Sequence, residues 1–314
     1  MKLHAWITLT IWMCSSTTLS AQQLASWSQF RTFHYAYNPA AIEVFELDVD
    51  GNPLDVDLAY RTQWTGFPGA PRTAVAGIQY TNIYQHMSMG GTLVNDAFGP
   101  TEYTRLQLQY AYQLNFARRE EHFLSLGISG SAAQFRIRTS ELSIEQPSDP
   151  LIGNDDQSTL GANLGLGVYY LRKLPVFSNA TYLFAGVSVD QLLPSSVRFA
   201  DGSNLPHEQH WYTFAGVRYY YDGYDQDYLE PVARVRYAVH SPLHFAAGVK
   251  MTFLEQRFWA GVSLGSSFQY ELQLGTRIAE QWMVSYGAGS FLSARLGQPA
   301  GLSHELTLSF RGLL

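Results

Sequence analysis

The stretch Arg105-Leu106-Gln107-Leu108-Gln109-Tyr110-Ala111-Tyr112-Gln113-Leu114 decides the fold. Leu106, Leu108, Tyr110, Tyr112 and Leu114 fall on one face, and Arg105, Gln107, Gln109, Ala111 and Gln113 on the other. Only a strand sorts residues with a period of two, because successive side chains point to opposite sides of its backbone. Ten residues of alternation also match the ~9–11 that carry a tilted strand across a bilayer.

The pattern repeats on either side. Val56–Trp64 sets Val56, Leu58, Tyr60 and Trp64 against Asp57, Ala59, Arg61 and Gln63. Phe268–Gly275 and Leu302–Arg311 alternate in the same way. Leu124–Ala132, Leu160–Tyr170, Phe258–Gly265 and Trp282–Ala288 alternate apolar residues with glycine, serine and other small residues. Glycine weakens a strand unless something needs the room. A barrel lumen, where side chains crowd or a plug approaches, is such a need. Thr73–Thr81, Met87–Asn95, Tyr182–Val189, Trp211–Tyr220, Leu229–Tyr237 and Leu243–Phe253 complete the set. The expected fold class is all-β, a transmembrane outer-membrane β-barrel of about 14 antiparallel strands, an even number as single-chain bacterial barrels require.

Composition agrees. Charged residues make up 15% of the 314, and aromatics 14%, twenty of them Tyr. Soluble domains carry about 25% charge. Mean hydropathy is only −0.11, which excludes a helical membrane protein. A barrel strand, half facing lipid and half facing a polar lumen, averages near neutral. A soluble β-sandwich is the competing reading, but its strands rarely alternate over ten residues so often. The formal net charge of −6 and the absence of a basic stripe exclude nucleic acid as the expected partner.

Residues 1–21 read as a signal peptide. Lys2 is followed by an apolar run from Ala5 to Cys14, then small residues and a cleavage site at Leu19-Ser20-Ala21. Cys14 is the one cysteine, so a chain cut after Ala21 has no disulfide and no thiolate nucleophile. Residues 22–314 are expected to form the barrel domain. Long polar connections are expected at Asn95–Thr101, Thr139–Ser158, Gln191–Gln209 and Ser293–Gly301, with shorter turns near Glu255 and Glu280. Outer-membrane barrels place long loops outside and short turns in the periplasm. Trp211, Tyr219–Tyr221, Trp259 and Trp282 are expected in the aromatic girdles.

Candidate chemistry is sparse. His304 and Glu305 are neighbours on a strand, so they point opposite ways and cannot form a dyad. His207-Glu208-Gln209-His210 has its histidines three apart, where the metalloprotease helix needs four. Asp48, Asp50, Asn52 and Asp55 offer oxygen ligands, but Gly51 breaks the order of a calcium loop, and a turn is the plainer reading. Arg218, Glu230, Arg234, Arg236 and Lys250 fall on polar strand faces, where they either set the selectivity of a pore or form a salt-bridged interior. No catalytic, cofactor-binding or metal residue is expected, and no partner-binding residue is assigned.

Several motifs, in order, resemble the PorP/SprF family of type IX secretion membrane proteins. They are Gln22-Gln23, Ser28-Gln29-Phe30, Asn38-Pro39-Ala40, Arg61-Thr62-Gln63-Trp64, Gly69-Ala70-Pro71 with Thr73, Asn95-Asp96, Gly99-Pro100-Thr101, Trp259-Ala260-Gly261-Val262-Ser263 and Ser303-His304-Glu305-Leu306. One departure is Ala41-Ile42-Glu43, an acidic continuation where the family has a Tyr-Ala-Gly-like one. The resemblance implies a non-enzymatic outer-membrane barrel of the secretion and gliding machinery. It implies as partners a secreted adhesin-like protein with a type IX C-terminal domain, periplasmic secretion or motor components, and outer-membrane lipid, with no cofactor. It also implies that Gln22–Pro39 forms a short periplasmic or plug-like N-terminal segment. A passive channel or transporter for small solutes is the alternative function, and a membrane-embedded hydrolase ranks last.

Overall fold

In the computed structural model, the described residues are 28–41, 53–82, 84–115, 122–138, 157–174, 180–193, 196–198, 204–206, 208–222, 226–239, 241–266, 269–291 and 301–313. The expected signal peptide, residues 1–21, lies outside them. So do Asp48, Asp50, Asn52 and His207.

After a short helical turn, α1 (His34–Tyr37), the strands run β1 (Pro53–Thr62), β2 (Arg72–Asn82), β3 (Met87–Phe98), β4 (Thr101–Asn115), β5 (His122–Ile137), β6 (Gln157–Lys173), β7 (Thr181–Asp190), β8 (Ser196–Arg198) and β9 (Asn204–Pro206). They continue as β10 (His210–Tyr220), β11 (Tyr228–Ala238), β12 (His244–Phe253), β13 (Phe258–Gly265), β14 (Gln269–Arg277), β15 (Trp282–Phe291) and β16 (Ser303–Leu313). Fourteen strands form one closed barrel, and β8 and β9 pair in a separate small hairpin. Every ladder is antiparallel, and β1 closes on β16 from Pro53↔Leu313 to Thr62↔His304. Closure removes the exposed strand edges that lipid cannot satisfy.

The two faces of β4 separate as the sequence demands. Leu106, Leu108, Tyr110 and Tyr112 are exposed on the outside, while Arg105, Gln107, Gln109, Ala111 and Gln113 are buried inside. Leu58, Ile78, Leu126, Leu166, Leu272 and Leu306 continue the outer apolar face on other strands. In water such a surface would aggregate; in a bilayer it is the lipid contact.

Connections follow a sidedness. Those between β5 and β6, β7 and β10, and β15 and β16 are long and share one rim. Among the described residues, the opposite rim carries short turns at 84–86, 254–257 and 278–281. By the loop-length rule the long-loop rim faces outside.

Three expectations need correction. Asn95–Thr101 is not a long loop: β3 and β4 pair all the way to Phe98↔Thr101 and turn at Gly99-Pro100, where Gly99 takes a positive φ of 54°. Polar residues here are not loop residues; they extend the wall beyond the lipid belt. Trp259 and Tyr220 do not join a girdle. Both point inward and are buried, Trp259 under the Lys250 ammonium and Tyr220 against Tyr228. Trp211, Trp282 and Tyr221 remain on the exposed side. Finally, β1 ends at Thr62, because Trp64 adopts a positive φ of 54° and leaves the ladder to pack on Phe291.

Candidate functional site in the barrel lumen

The interior is occupied by the chain's own N-terminal segment. Residues 28–41 cross the lumen and touch strands on all sides of it. Phe33, Tyr35, Asn38, Ala40 and Ala41 are almost completely buried. Removing a large apolar side chain from water contributes about 1.5–3 kcal/mol, so Phe33 and Tyr35 are substantial anchors.

Polar contacts fix the segment at both ends. The Ser28 and Gln29 backbone N–H groups donate to the two oxygens of Glu305, at 2.8 and 3.1 Å. The Gln273 amide donates to the Ser28 carbonyl. At the far end, Gln79 donates to the Ala41 carbonyl at 3.1 Å, and the Ser188 hydroxyl to the Tyr37 carbonyl at 2.8 Å. Asn38 anchors the segment to β6. Its amide nitrogen donates to the carbonyl of Val168 at 3.0 Å, and its oxygen accepts from the Ala40 N–H at 2.9 Å.

The fit depends on glycine. A Cβ at Gly127 would collide with the Pro39–Ala40 backbone, and one at Gly167 with the Asn38 side chain. The small faces of β5 and β6 therefore leave the space that Asn38-Pro39-Ala40 fills. The need for room that the sequence poses is met by the approach of this segment.

Three buried charge clusters surround it. Arg61 on β1 reaches Glu271 at 2.9 Å and Glu305 at 3.3 Å, with Arg234 at 3.7 Å from Glu271. Glu230 on β11 accepts from Arg31 of the segment at 2.7 Å and from Arg218 of β10 at 2.6 Å. Asp57 accepts from Tyr35 at 3.1 Å, from Ser309 at 2.6 Å and from Arg311 at 2.8 Å. All three clusters thus bind the segment directly through a carboxylate, Glu230 and Asp57 by way of its side chains Arg31 and Tyr35. In the third, Glu305 uses its carboxylate for backbone amides and for Arg61 at once. A fourth pair, Arg105 with Asp190 at 2.7 Å, lies on the luminal face of β4 and β7. Such charges are tolerated inside only when paired and hydrogen-bonded. A cavity of about 60 Å³ remains between residues 28–32 and β11–β14, lined by Glu230, Arg234, Lys250 and Gln273.

Of the residues singled out in the sequence, Arg218, Glu230, Arg234 and Lys250 meet in this lumen. Glu230 and Arg218 belong to the salt-bridged interior, and Arg234 approaches Glu271. His304 points outward to the Tyr286 hydroxyl while Glu305 points inward, as neighbours on a strand must. Asp55 pairs with Arg311 at 3.4 Å, and His210 is buried beside Tyr212. Sequence reasoning missed Tyr35, Asp57 and Arg31. Asp57 and Arg61 were legible as inward-facing charges, but their partners lie far along the chain.

Comparison with known proteins agrees with the architecture. No protein with a curated description matches the sequence. Among solved structures, the chain resembles the CymD monoaromatic hydrocarbon channel, with 11% identity, a TM-score of 0.52, and 90% of this chain and 93% of that one covered. A TodX monoaromatic hydrocarbon channel mutant gives 11% identity, a TM-score of 0.50, and coverage of 89% and 94%. At such identity the likeness is one of fold. The model of the family described as type IX secretion system membrane protein PorP/SprF matches residues 19–310. The chain, an outer-membrane barrel closed around its own N-terminal segment, belongs to that family.

Proposed function

We propose that this barrel is a non-enzymatic component of the type IX secretion and gliding machinery that holds an exported partner at the cell surface, and that it does not conduct solutes at rest. The observation that carries the reading is the lumen crossed by residues 28–41. That segment is pinned by Glu305, Glu230, Asp57 and Ser188, strands far apart around the wall. A passive channel gains nothing from a segment bonded all round its bore, whereas a rigid plugged barrel is a stable platform for outer loops. In this reading residues 28–41 act as the plug, and the long connections on one rim supply the docking side. The partner is an adhesin-like protein with a type IX C-terminal domain, and periplasmic secretion or motor components meet the opposite rim.

A pull-down of the tagged protein from native outer membranes, with mass spectrometry, tests the partner. Recovery of one exported protein in near-stoichiometric amount is the expected result. Planar-bilayer recording of the purified protein tests the plug, with no steady conductance expected. Steady conductance altered by charge reversal at Arg234, with no exported protein recovered, would instead establish the channel reading.

A further inference from the structure

Among the described residues, the β6–β7 ladder of the barrel wall is unfinished. β6 pairs with β5 along its whole length, from Gln157↔Ile137 to Arg172↔His122. On its other side β6 pairs with β7 only from Leu166↔Val189 to Lys173↔Tyr182. The break has a local cause. Gln191, just past the end of β7, takes a positive φ of 59°, a left-handed kink of the kind that ends pairing at a bulge. The departing chain is clasped once more: the Leu192 N–H donates to the Leu164 carbonyl at 3.0 Å, and the Asn163 side chain holds Leu193 through both of its polar atoms.

Beyond that clasp, no strand among the described residues pairs with the outer half of β6 on this side. In a strand the N–H and C=O of one residue point to the same side, and alternate residues share that side. Leu164 directs its carbonyl away from β5, so Leu160 and Ala162 do likewise. Among the described residues their backbone groups find no hydrogen-bond partner. β8 comes close to β6 but gives its ladder to β9. Leu160 is 78% exposed. It sits directly opposite Gln134, whose amide bonds Ser158 at the outer end of the wall, so this edge stands above the lipid belt on the long-loop side. A Cβ at Gly161, on the inward face, would meet nothing within 4 Å.

We infer that the outer edge of β6, from Ser158 to Ala162, is a strand-addition site, and that an extended segment of the exported partner completes the β6–β7 ladder there. The inference rests on the partner-holding function proposed above. The donor and acceptor spacing of a strand edge is matched only by another extended main chain. The position continues an existing antiparallel ladder, and the inferred strand runs antiparallel to β6 as β7 does. Residues of that strand facing Leu160 and Ala162 are apolar or small, and the alternating ones face the open side of Gly161.

The test uses the full-length protein. Leu160→Pro removes an N–H that points to the free edge and leaves the β5 ladder intact, as Pro on an edge strand does. Leu160→Thr removes the apolar side chain and keeps the backbone. Heat-modifiable migration on gels verifies that each variant is folded. With the exported protein that the wild type recovers from native outer membranes as the probe, Leu160→Pro is expected to lower recovery about tenfold or more, the effect of roughly one lost hydrogen bond plus a clash. Leu160→Thr is expected to retain it. Hydrogen exchange gives a second measurement: the Leu160 and Ala162 amides exchange fast in the isolated protein and slowly in the complex. Undiminished recovery with Leu160→Pro overturns the strand-addition site and leaves the partner-holding function standing. Slow exchange in the isolated protein overturns it too, because the chain's own hairpin then covers the edge. A dimer that Leu160→Pro dissociates overturns it in favour of a second copy. A wild type that recovers no exported protein overturns both readings together.

Discussion

Glu305 shows how much can hang on one side chain. It is 2% exposed, yet it serves two backbone amides of the inner segment and one arm of Arg61. Glu305→Ala leaves those amides without an acceptor and Arg61 with Glu271 alone. Breaking a buried pair by removing one partner costs about 3–5 kcal/mol. A loss near the lower end, about 3 kcal/mol, is expected because Glu271 still balances part of the charge. Urea unfolding in lipid vesicles measures it. Gly127 tests the other side of the segment. Gly127→Val puts carbon where the Pro39–Ala40 backbone lies, and backbone cannot step aside as a flexible side chain can. The barrel ladders do not need that space, so the segment leaves and the barrel persists. Trypsin then cleaves at Arg31, which is shielded in the wild type, while heat-modifiable migration is retained; an uncut variant would count against this packing.

At the level of elements, the strands obey two environments that change along their length. On β4 the outward residues run from Tyr112 to Leu106 as an apolar series, then become Thr104 and Glu102. On β5 they run from Leu126 and Ile128 to Gln134 and Arg136. Where the series turns polar the wall leaves the bilayer, and Glu102 there pairs with Arg138 at 2.8 Å. Charge on the lipid face is depth-dependent, about 2–4 kcal/mol for Arg or Lys at midplane and about 0–1 near the interface. Leu108→Arg is therefore expected to destabilise by about 2–4 kcal/mol and Gln134→Lys by less than about 1 kcal/mol. Equal costs in vesicle refolding would mean that the belt is drawn in the wrong place. The same elements explain the failed loop at Asn95–Thr101. Polar residues there reflect a strand above the lipid, and polarity alone does not separate such a strand from a loop.

For the molecule as a whole, the inner segment and the wall divide the work. The barrel closes without the segment: β1 pairs with β16, and no ladder of the barrel passes through residues 28–41. Deleting residues 28–41 is therefore expected to yield a barrel that still inserts, but with a steady conductance in planar bilayers above that of the intact protein. A deletion that stays silent would show that the remaining side chains, Arg61, Glu271, Arg105 and Asp190 among them, close the bore on their own. Inside the barrel, Glu230 is committed to both Arg218 and Arg31, which ties the segment to the wall by charge.

The sequence by itself determined the wall. Period-two alternation is local information, written into each ten-residue run, and it was enough to place all fourteen barrel strands and to assign faces such as Leu108 outward and Gln107 inward. The glycine-rich faces of β5 and β6 also announced that something needed room. The family resemblance pointed to Gln22–Pro39 as a plug-like segment, but which wall residues it meets was decided only in three dimensions. Tyr35 finds Asp57, Arg31 finds Glu230, and Asn38 finds Val168 across separations that no periodicity encodes, because lumen partners are set by barrel closure and shear. The inward turn of Trp259 and the kink at Gln191 that frees the edge of β6 belong to the same class: each depends on neighbours brought together by the closed sheet.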